Sequence, residues 1–219
     1  MGIYEFAGCV VSYEPLYGLL RRRMETYRSD TERQPDITLD GTKEDYEKLR
    51  KQYPHLSIEE CEYSCAGAEF YMKLLKHQGF MIHASAVEKE GKAYLFSAPS
   101  GTGKSTHAQL WRQTFKGEPI RIINDDKPAV CLQNGVFYAC GTPFSGKTDK
   151  NENRKAPIQG LCMLHRGKTN KIQKITSGEA LPLILPQTLF YGDEEETNLL
   201  LSFLDRFLQS NKTSLLKIS

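Results

Sequence analysis

The sequence predicts an α/β fold with an α+β tendency: a mixed β-sheet core of the P-loop type over residues 80–219, after a small α+β portion at residues 1–79. Three observations predict it. A glycine-rich turn joins an apolar strand to an amphipathic helix at residues 92–115. Turn residues at 88–91 and at Asn134-Gly135 separate short β-rich runs, as in hairpins. Helical spacing of apolar residues recurs elsewhere in the chain.

The composition is that of an ordinary globular protein. The chain has 219 residues, of which 39% are hydrophobic and 26% charged, enough for one large or two small domains. The net charge of +2 is too small to predict a nucleic-acid or membrane partner, although Arg21, Arg22 and Arg23 form a basic run. There is no apolar stretch of membrane-span length and no signal-peptide pattern. We therefore expect a cytoplasmic protein without nucleic-acid or membrane partners, and the composition allows a homo-oligomer.

The cysteines do not follow the paired C-x-x-C spacing of a structural zinc site. They lie mostly in apolar surroundings, so we expect them to be reduced and buried. The six are Cys9, Cys61, Cys65, Cys131, Cys140 and Cys162.

The N-terminal portion carries no recognisable catalytic motif. Residues 1–14 are rich in β-branched and aromatic residues and predict a strand or hairpin. Ile37–Leu39 predicts a short strand, and Thr42 with Asp45 marks the start of a helix that stops before Pro54. A second helix is predicted from Glu62 to a closing Gly79. This portion either recognises a substrate or covers one face of the core.

The glycine-rich turn fits the phosphate-binding pattern G-x-x-x-x-G-K-[ST], with Ala98 in place of the first glycine. Glycines let backbone N–H groups surround phosphate oxygens, and the N-terminus of the following helix adds positive charge. Lys104 would contact the β- and γ-phosphates, and Ser105 would bind Mg²⁺. ATP and Mg²⁺ are therefore the predicted cofactors. The predicted nucleotide contacts in this turn are Ser100, Gly101, Thr102, Gly103, Lys104, Ser105 and Thr106.

A strand is predicted at Phe80–Val87, and a hairpin turn connects it to the strand that enters the phosphate loop. Folding the hairpin about Lys89 and Glu90 places His83 opposite Phe96, close to the bound phosphates. A lone histidine in an apolar strand is ordinarily a core residue, but this register favours a place in the site.

Arg121–Asp126 is an apolar strand that ends in two carboxylates. Such a strand carries its terminal acids to the same sheet edge as the phosphate loop, where Asp125 would hold the metal and Asp126 would accept a proton. Two solvated turn aspartates are the alternative.

The small-residue segment 141–155 follows the hairpin that turns at Asn134-Gly135. Two readings stay open. It either closes over a substrate, with Lys147 or Arg154 neutralising charge on the transferring phosphoryl group, or it is a mobile surface connection.

The C-terminal third predicts two strands, at 160–165 and 171–176, and a final strand at 214–218. Between the first two, Asn170-Lys171-Ile172-Gln173 resembles the guanine-reading motif N-K-x-D, but its glutamine argues against a GTPase. Ser177 is predicted to cap a helix, and a second helix is predicted from Glu194 to Gln209.

Taken together, His83-Ala84-Ser85, the phosphate loop and Asn124-Asp125-Asp126 resemble the C-terminal catalytic domain of the HPr kinase/phosphorylase family, which is related to phosphoenolpyruvate carboxykinase. The match in order and spacing covers roughly residues 80–165. The resemblance implies that His83 and Lys104 belong to the active site, that Ser105 holds Mg²⁺ and that Asp126 takes the substrate proton. Asp125 would be a metal-side partner.

Two features depart from the family pattern. Pro157 stands where the family has a metal-binding glutamate, and the N-terminal portion does not resemble the family's N-terminal domain. Both argue against HPr as the substrate and against phosphorolysis.

The leading hypothesis is a kinase that transfers the γ-phosphoryl group of ATP to a hydroxyl, on a serine of a peptide or protein or on a small metabolite. The alternative is a catalytically silent, nucleotide-sensing binding module. A third hypothesis is a kinase that modifies a ribosomally made precursor peptide.

Overall fold

The computed structural model describes residues 1–115, 117–189, 192–210 and 214–218, which form a mixed α/β fold. The helices are α1 Gly18–Met24, α2 Lys43–Gln52, α3 Ile58–Leu74, α4 Lys104–Thr114, α5 Ser177–Ile184 and α6 Glu194–Leu208. The strands are β1 Gly2–Phe6, β2 Cys9–Tyr13, β3 Ile37–Thr38, β4 Gly79–Met81, β5 Ala84–Lys89, β6 Lys92–Ser97, β7 Arg121–Asn124, β8 Ala129–Gln133, β9 Val136–Cys140, β10 Lys155–Leu164, β11 Ile172–Lys174 and β12 Ser214–Ile218.

Two sheets organise these strands. The small sheet has the order β1-β2-β3. The large sheet follows the order β4-β8-β9-β10-β6-β5-β7, and β12 joins it beside β10 with β11 at its outer side. Strand β10 runs parallel to both β6 and β12, while the other pairs of the large sheet are antiparallel.

Three hairpins turn on two-residue loops with positive φ at both positions. The φ angles are 53° and 81° at Ala7-Gly8, 51° and 72° at Glu90-Gly91, and 49° and 75° at Asn134-Gly135. This backbone twist matches the right-handed twist of the flanking strands. The hairpins predicted at residues 1–14 and at Asn134-Gly135 are confirmed.

The prediction of one continuous strand over Phe80–Val87 is wrong, because the structure divides this stretch into β4 and β5. Strand β4 pairs with β8, whereas β5 pairs with β6 and β7. Ile82 and His83 lie in the break, where the chain passes from one part of the sheet to another.

Hydrogen bonds to capping side chains mark where helices α2 and α3 begin. Thr42 and Asp45 form the predicted capping box at α2. Helix α3 begins at Ile58, earlier than predicted, because Ser57 and Glu60 form a second capping box. It is followed by a 3-10 turn that closes at Gln78, whose φ is 61°, so the predicted cap at Gly79 is wrong.

The cap of α5 is Thr176 rather than the predicted Ser177, since Thr176 accepts a hydrogen bond from the Glu179 backbone. The helix predicted from Glu194 to Gln209 is present as α6, which buries Leu200, Phe203, Leu204 and Phe207. No helix in the described ranges is both long and apolar enough to cross a membrane.

One hydrophobic cluster joins the first 79 residues to the large sheet. Phe144 is fully buried in it, and its ring lies 5.7 Å from that of Phe70, which in turn lies 4.7 Å from that of Phe6. Aromatic packing of this kind fixes the N-terminal portion against the segment that follows β9.

The prediction of buried, reduced cysteines is confirmed for five of the six, whereas Cys65 is half-buried.

Candidate functional site

The glycine-rich turn, which is the predicted phosphate loop, lies between β6 and α4, where the sequence predicts it. Gly101 and Gly103 have φ angles of 78° and 117°, and a Cβ at either position would meet nothing within 4 Å. The backbone conformation, rather than a lack of space, is therefore what requires glycine here. Gly103 is also the N-cap of α4, so the loop leads directly into the positive end of that helix.

Lys104 is the first residue of α4 and is only 7% exposed. Its Nζ donates to the carbonyl of Ala98 at 2.9 Å and reaches that of Pro99 at 3.5 Å. Burial lowers the pKa of Lys104, and the nearby charge of Asp126 acts in the opposite direction. The ammonium group is thus held against the two carbonyls at the start of the loop.

The other predicted nucleotide contacts in the loop differ in their exposure to solvent. Ser100, Gly101, Ser105 and Thr106 are exposed, while Thr102 and Gly103 are half-buried. The exposed hydroxyl of Ser105, next to the lysine, is a hard oxygen ligand of the kind that Mg²⁺ accepts beside phosphate oxygens and water.

Asp126 is held between two basic side chains. Its Oδ1 lies 3.3 Å from His83 Nε2, and its Oδ2 accepts a hydrogen bond from Lys127 Nζ at 2.8 Å. Burial alone would raise the pKa of Asp126, but the hydrogen bond from His83 and the charge of Lys127 outweigh it and hold the pKa below its usual range. Asp126 is therefore a carboxylate, and it is 24% exposed.

His83 reaches this cluster from the break between β4 and β5. The predicted register, with His83 opposite Phe96, is wrong, because Ser85 occupies that place. The turn is centred on Glu90-Gly91, where glycine tolerates positive φ, so the pairing is shifted by two residues. His83 stays at the site, since its carbonyl accepts a hydrogen bond from Ser97 Oγ at 2.9 Å, at the end of β6.

Gln187 is a site residue that the sequence reasoning missed. Its backbone carbonyl accepts a hydrogen bond from the His83 N–H at 2.6 Å, and its Oε1 lies 3.1 Å from His83 Nδ1. The side chain is 8% exposed. A single glutamine in an apolar, proline-containing stretch gives no signal in the sequence.

Lys127 was missed as well, although it directly follows the two predicted acids. Its Nζ lies 5.4 Å from the centroid of the Tyr63 ring, and Arg23 Cζ lies 4.9 Å from the same ring. Burial acts to lower the pKa of Lys127, but Tyr63 and Asp126 raise it more. Lys127 therefore keeps its positive charge beside Asp126. The sequence signal that could have indicated it is a basic residue directly after the acid pair.

Asp125, the predicted metal-side partner, is 4% exposed and faces the segment after β9. Its Oδ1 accepts a hydrogen bond from the Gly146 N–H at 3.2 Å, and its Oδ2 accepts one from Thr148 Oγ1. Across the described parts of the chain, no three histidine, cysteine or acidic side chains are grouped to hold a metal. Mg²⁺ needs only one or two carboxylates beside phosphate and water, so a magnesium site at Ser105 and Asp125 stays a prediction.

The segment after β9 is fastened to the N-terminal portion. Residues 141–145 are buried, so this part is not the surface connection of the second reading. Arg23 donates to the carbonyls of Ser145 at 2.9 Å and Gly146 at 3.2 Å, and its Nε lies 3.1 Å from Asp149. Tyr63 donates to the Ser145 carbonyl at 2.6 Å.

The two basic candidates of this segment, Lys147 and Arg154, differ in whether their charge is already paired within the protein. Lys147 is exposed. Arg154 lies 2.7 Å from Glu88 and 3.5 Å from Glu152, so its charge is already balanced within the protein. Of the two, Lys147 is the one whose charge is open to solvent and to an incoming ligand.

Comparison with known proteins finds a distant structural similarity. No family model matches the chain, and no curated protein does. Among solved structures, the HPr(Ser) kinase/phosphatase from Coxiella burnetii aligns with 58% of this chain and 88% of its own, at 14% identity. The TM-score of that alignment is 0.31, which is too low to assign a shared fold or function.

Proposed function

We propose that this protein transfers the γ-phosphoryl group of ATP to a hydroxyl group. The observation that carries the proposal is the placement of Asp126: a carboxylate held by His83 and Lys127, close enough to the phosphate-loop Lys104 for the two charges to interact. A phosphate-binding loop and an ionised carboxylate are the two parts that such a transfer requires of a protein.

The binding half of the reaction belongs to the loop. Backbone N–H groups of residues 100–106 and the N-terminus of α4 would surround the phosphates. Lys104 would exchange its carbonyl partners for β- and γ-phosphate oxygens. When bound, Mg²⁺ would neutralise charge on these phosphates, with Ser105 and, directly or through water, Asp125 as its protein ligands. Lys147 would add positive charge from the opposite segment.

The transfer half belongs to Asp126. The acceptor oxygen attacks the γ-phosphorus, the bond from that phosphorus to the β–γ bridging oxygen breaks, and ADP leaves. The hydroxyl proton passes to a carboxylate oxygen of Asp126. His83 and Lys127 act as positioning residues, because each holds one of the two oxygens of this carboxylate.

The acceptor is proposed as a serine of a peptide or protein, or as a small metabolite with a hydroxyl group. The test is to incubate the purified chain with γ-labelled ATP, Mg²⁺ and host extract, and to separate the labelled products by size. Asp126→Asn should bind ATP as the wild type does but lose transfer by about 10²- to 10⁴-fold, the usual effect of a general base. Lys104→Ala should lose both, and Asp205→Asn, on the exposed face of α6, should lose neither.

One observation favours a second candidate, a nucleotide-sensing module without catalysis. Both carboxylates after β7 are already engaged, Asp126 by basic side chains and Asp125 by the segment after β9. ATP binding that depends on Lys104, without any transferred label, supports this module. Full transfer by Asp126→Asn would refute the assignment of the base.

A further inference from the structure

A large cleft opens beside the predicted phosphate loop and the first two turns of α4. Its volume is about 790 Å³. It exists because β6 and β10 are parallel neighbours, so their carboxyl ends lead into adjacent loops. Strand β6 leads into the phosphate loop, and β10 leads into the segment at 165–171, which forms the opposite wall. Ligands of open α/β sheets bind at such an edge.

The two walls of the cleft carry apolar side chains. Leu110 of α4 is 49% exposed and Ile172 of β11 is 63% exposed. Leu164 and Ile218 line the same cleft and are more buried. Exposed apolar residues that stand alone need no explanation, but residues that converge on one cleft indicate a surface for an apolar ligand.

Polar side chains line the same cleft and are suited to orient such a ligand: Thr102, Thr106, His107, His165, Arg166, Asn170 and Lys171. Asn170 is exposed at its rim, and its amide offers both donors and an acceptor. His107 lines the cleft from α4, with its ring 4.4 Å from that of Phe96. Arg166 donates to the carbonyl of Gly101 at 2.7 Å, which ties the second wall to the phosphate loop.

We propose that this cleft binds the base of the nucleoside triphosphate whose phosphates occupy the loop. The inference deepens the proposed function and rests on it. A nucleobase is a flat ring with apolar faces and a polar edge, which matches apolar walls at Leu110 and Ile172 and an amide at Asn170. The cleft reaches the phosphate loop at residues 101–103, so one ligand can span both. Its volume lies within the roughly 300–1,000 Å³ of small-molecule sites.

The experiment measures binding of the base separately from binding of the phosphates. Calorimetric titration of the full chain compares ATP with inorganic tripolyphosphate, which has no base. The wild type should bind ATP more tightly. Leu110→Gln and Ile172→Gln should each weaken ATP binding about tenfold, the effect of losing part of a leucine-sized apolar contact, and leave tripolyphosphate binding unchanged.

The matched control is Leu201→Gln, which replaces a leucine of similar exposure, 38%, on α6. It should bind both ligands as the wild type does. Equal affinities of the wild type for ATP and tripolyphosphate, or unchanged ATP affinity in both cleft variants, would overturn the proposal. If tripolyphosphate binding still depends on Lys104 in that case, the phosphate loop stands and only the base site fails.

A failure of the kinase assignment alone would give a different result. If the cleft variants weaken ATP binding as expected but the wild type transfers no label to any acceptor, the base site is supported and the kinase assignment fails. Binding of neither ligand would refute both. Thermal unfolding of each variant verifies that the substitution leaves the fold intact.

Discussion

His83 joins Asp126 to Gln187: its Nε2 lies 3.3 Å from Asp126 Oδ1, and its Nδ1 lies 3.1 Å from Gln187 Oε1. An oxygen thus faces each of the two ring nitrogens of His83. The three side chains come from three different parts of the chain. Their alignment fixes where the Asp126 carboxylate points, and several measurable properties follow from it.

The charge of Asp126 should stabilise the fold, and this contribution should disappear in acid. Its pKa in the folded protein is lower than the ordinary value of 3.8. The contribution is therefore complete above pH 3.8 and is lost as the pH falls below it towards the folded-state pKa. We expect the wild type to have a higher melting temperature than Asp126→Asn at pH 6, and the difference to shrink below pH 3.8. A difference that grows as the pH falls would contradict this linkage, and Asp205→Asn corrects for the loss of one carboxylate elsewhere.

Gln187→Leu should slow phosphoryl transfer about 10- to 100-fold without changing the affinity for ATP. The variant leaves His83 Nδ1 without its side-chain partner, which costs about 1–3 kcal/mol, and so frees the ring to turn. Gln187→Glu keeps an acceptor and should recover part of the rate. The readouts are the rate against pH and the ¹⁵N resonances of the His83 ring. Equal rates in the two variants, with unchanged ring resonances, would rule out a positioning role.

Arg23→Ala should loosen the segment that holds Asp125. The side chain of Arg23 is 9% exposed and contacts Ser145, Gly146 and Asp149. Its loss should destabilise the protein by about 1.5–3 kcal/mol, the range for hydrogen bonds to charged groups. Urea unfolding measures the loss, and hydrogen exchange at the Gly146 amide reports the local effect. Arg22→Ala removes an exposed arginine from the same helix and should change neither; equal effects in the two variants would show that Arg23 is not an anchor.

Much of the local structure could be predicted because it depends on neighbouring residues. Asn134-Gly135 accepts positive φ at both turn positions, and Thr42 with Asp45 satisfies the first N–H groups of α2. The strand, glycine turn and helix around Lys104 follow from the same local rules. The predictions failed where neighbouring residues compete for one position: the hairpin turn is centred on Glu90-Gly91 rather than on Lys89-Glu90, and Thr176 caps α5 in place of Ser177.

The sequence by itself determined the glycine-rich turn before α4 and the acid pair after β7, because short-range backbone preferences and apolar periodicity specify where a strand ends and a helix begins. Only the tertiary structure decided that His83 lies in a break between two strands and that Gln187 holds its ring. It also decided that Arg23 fastens the segment beside Asp125. These contacts join residues about 100 positions apart. They form because the collapsed core satisfies buried polar groups with whichever partner the packing brings near, and no local pattern encodes that partner.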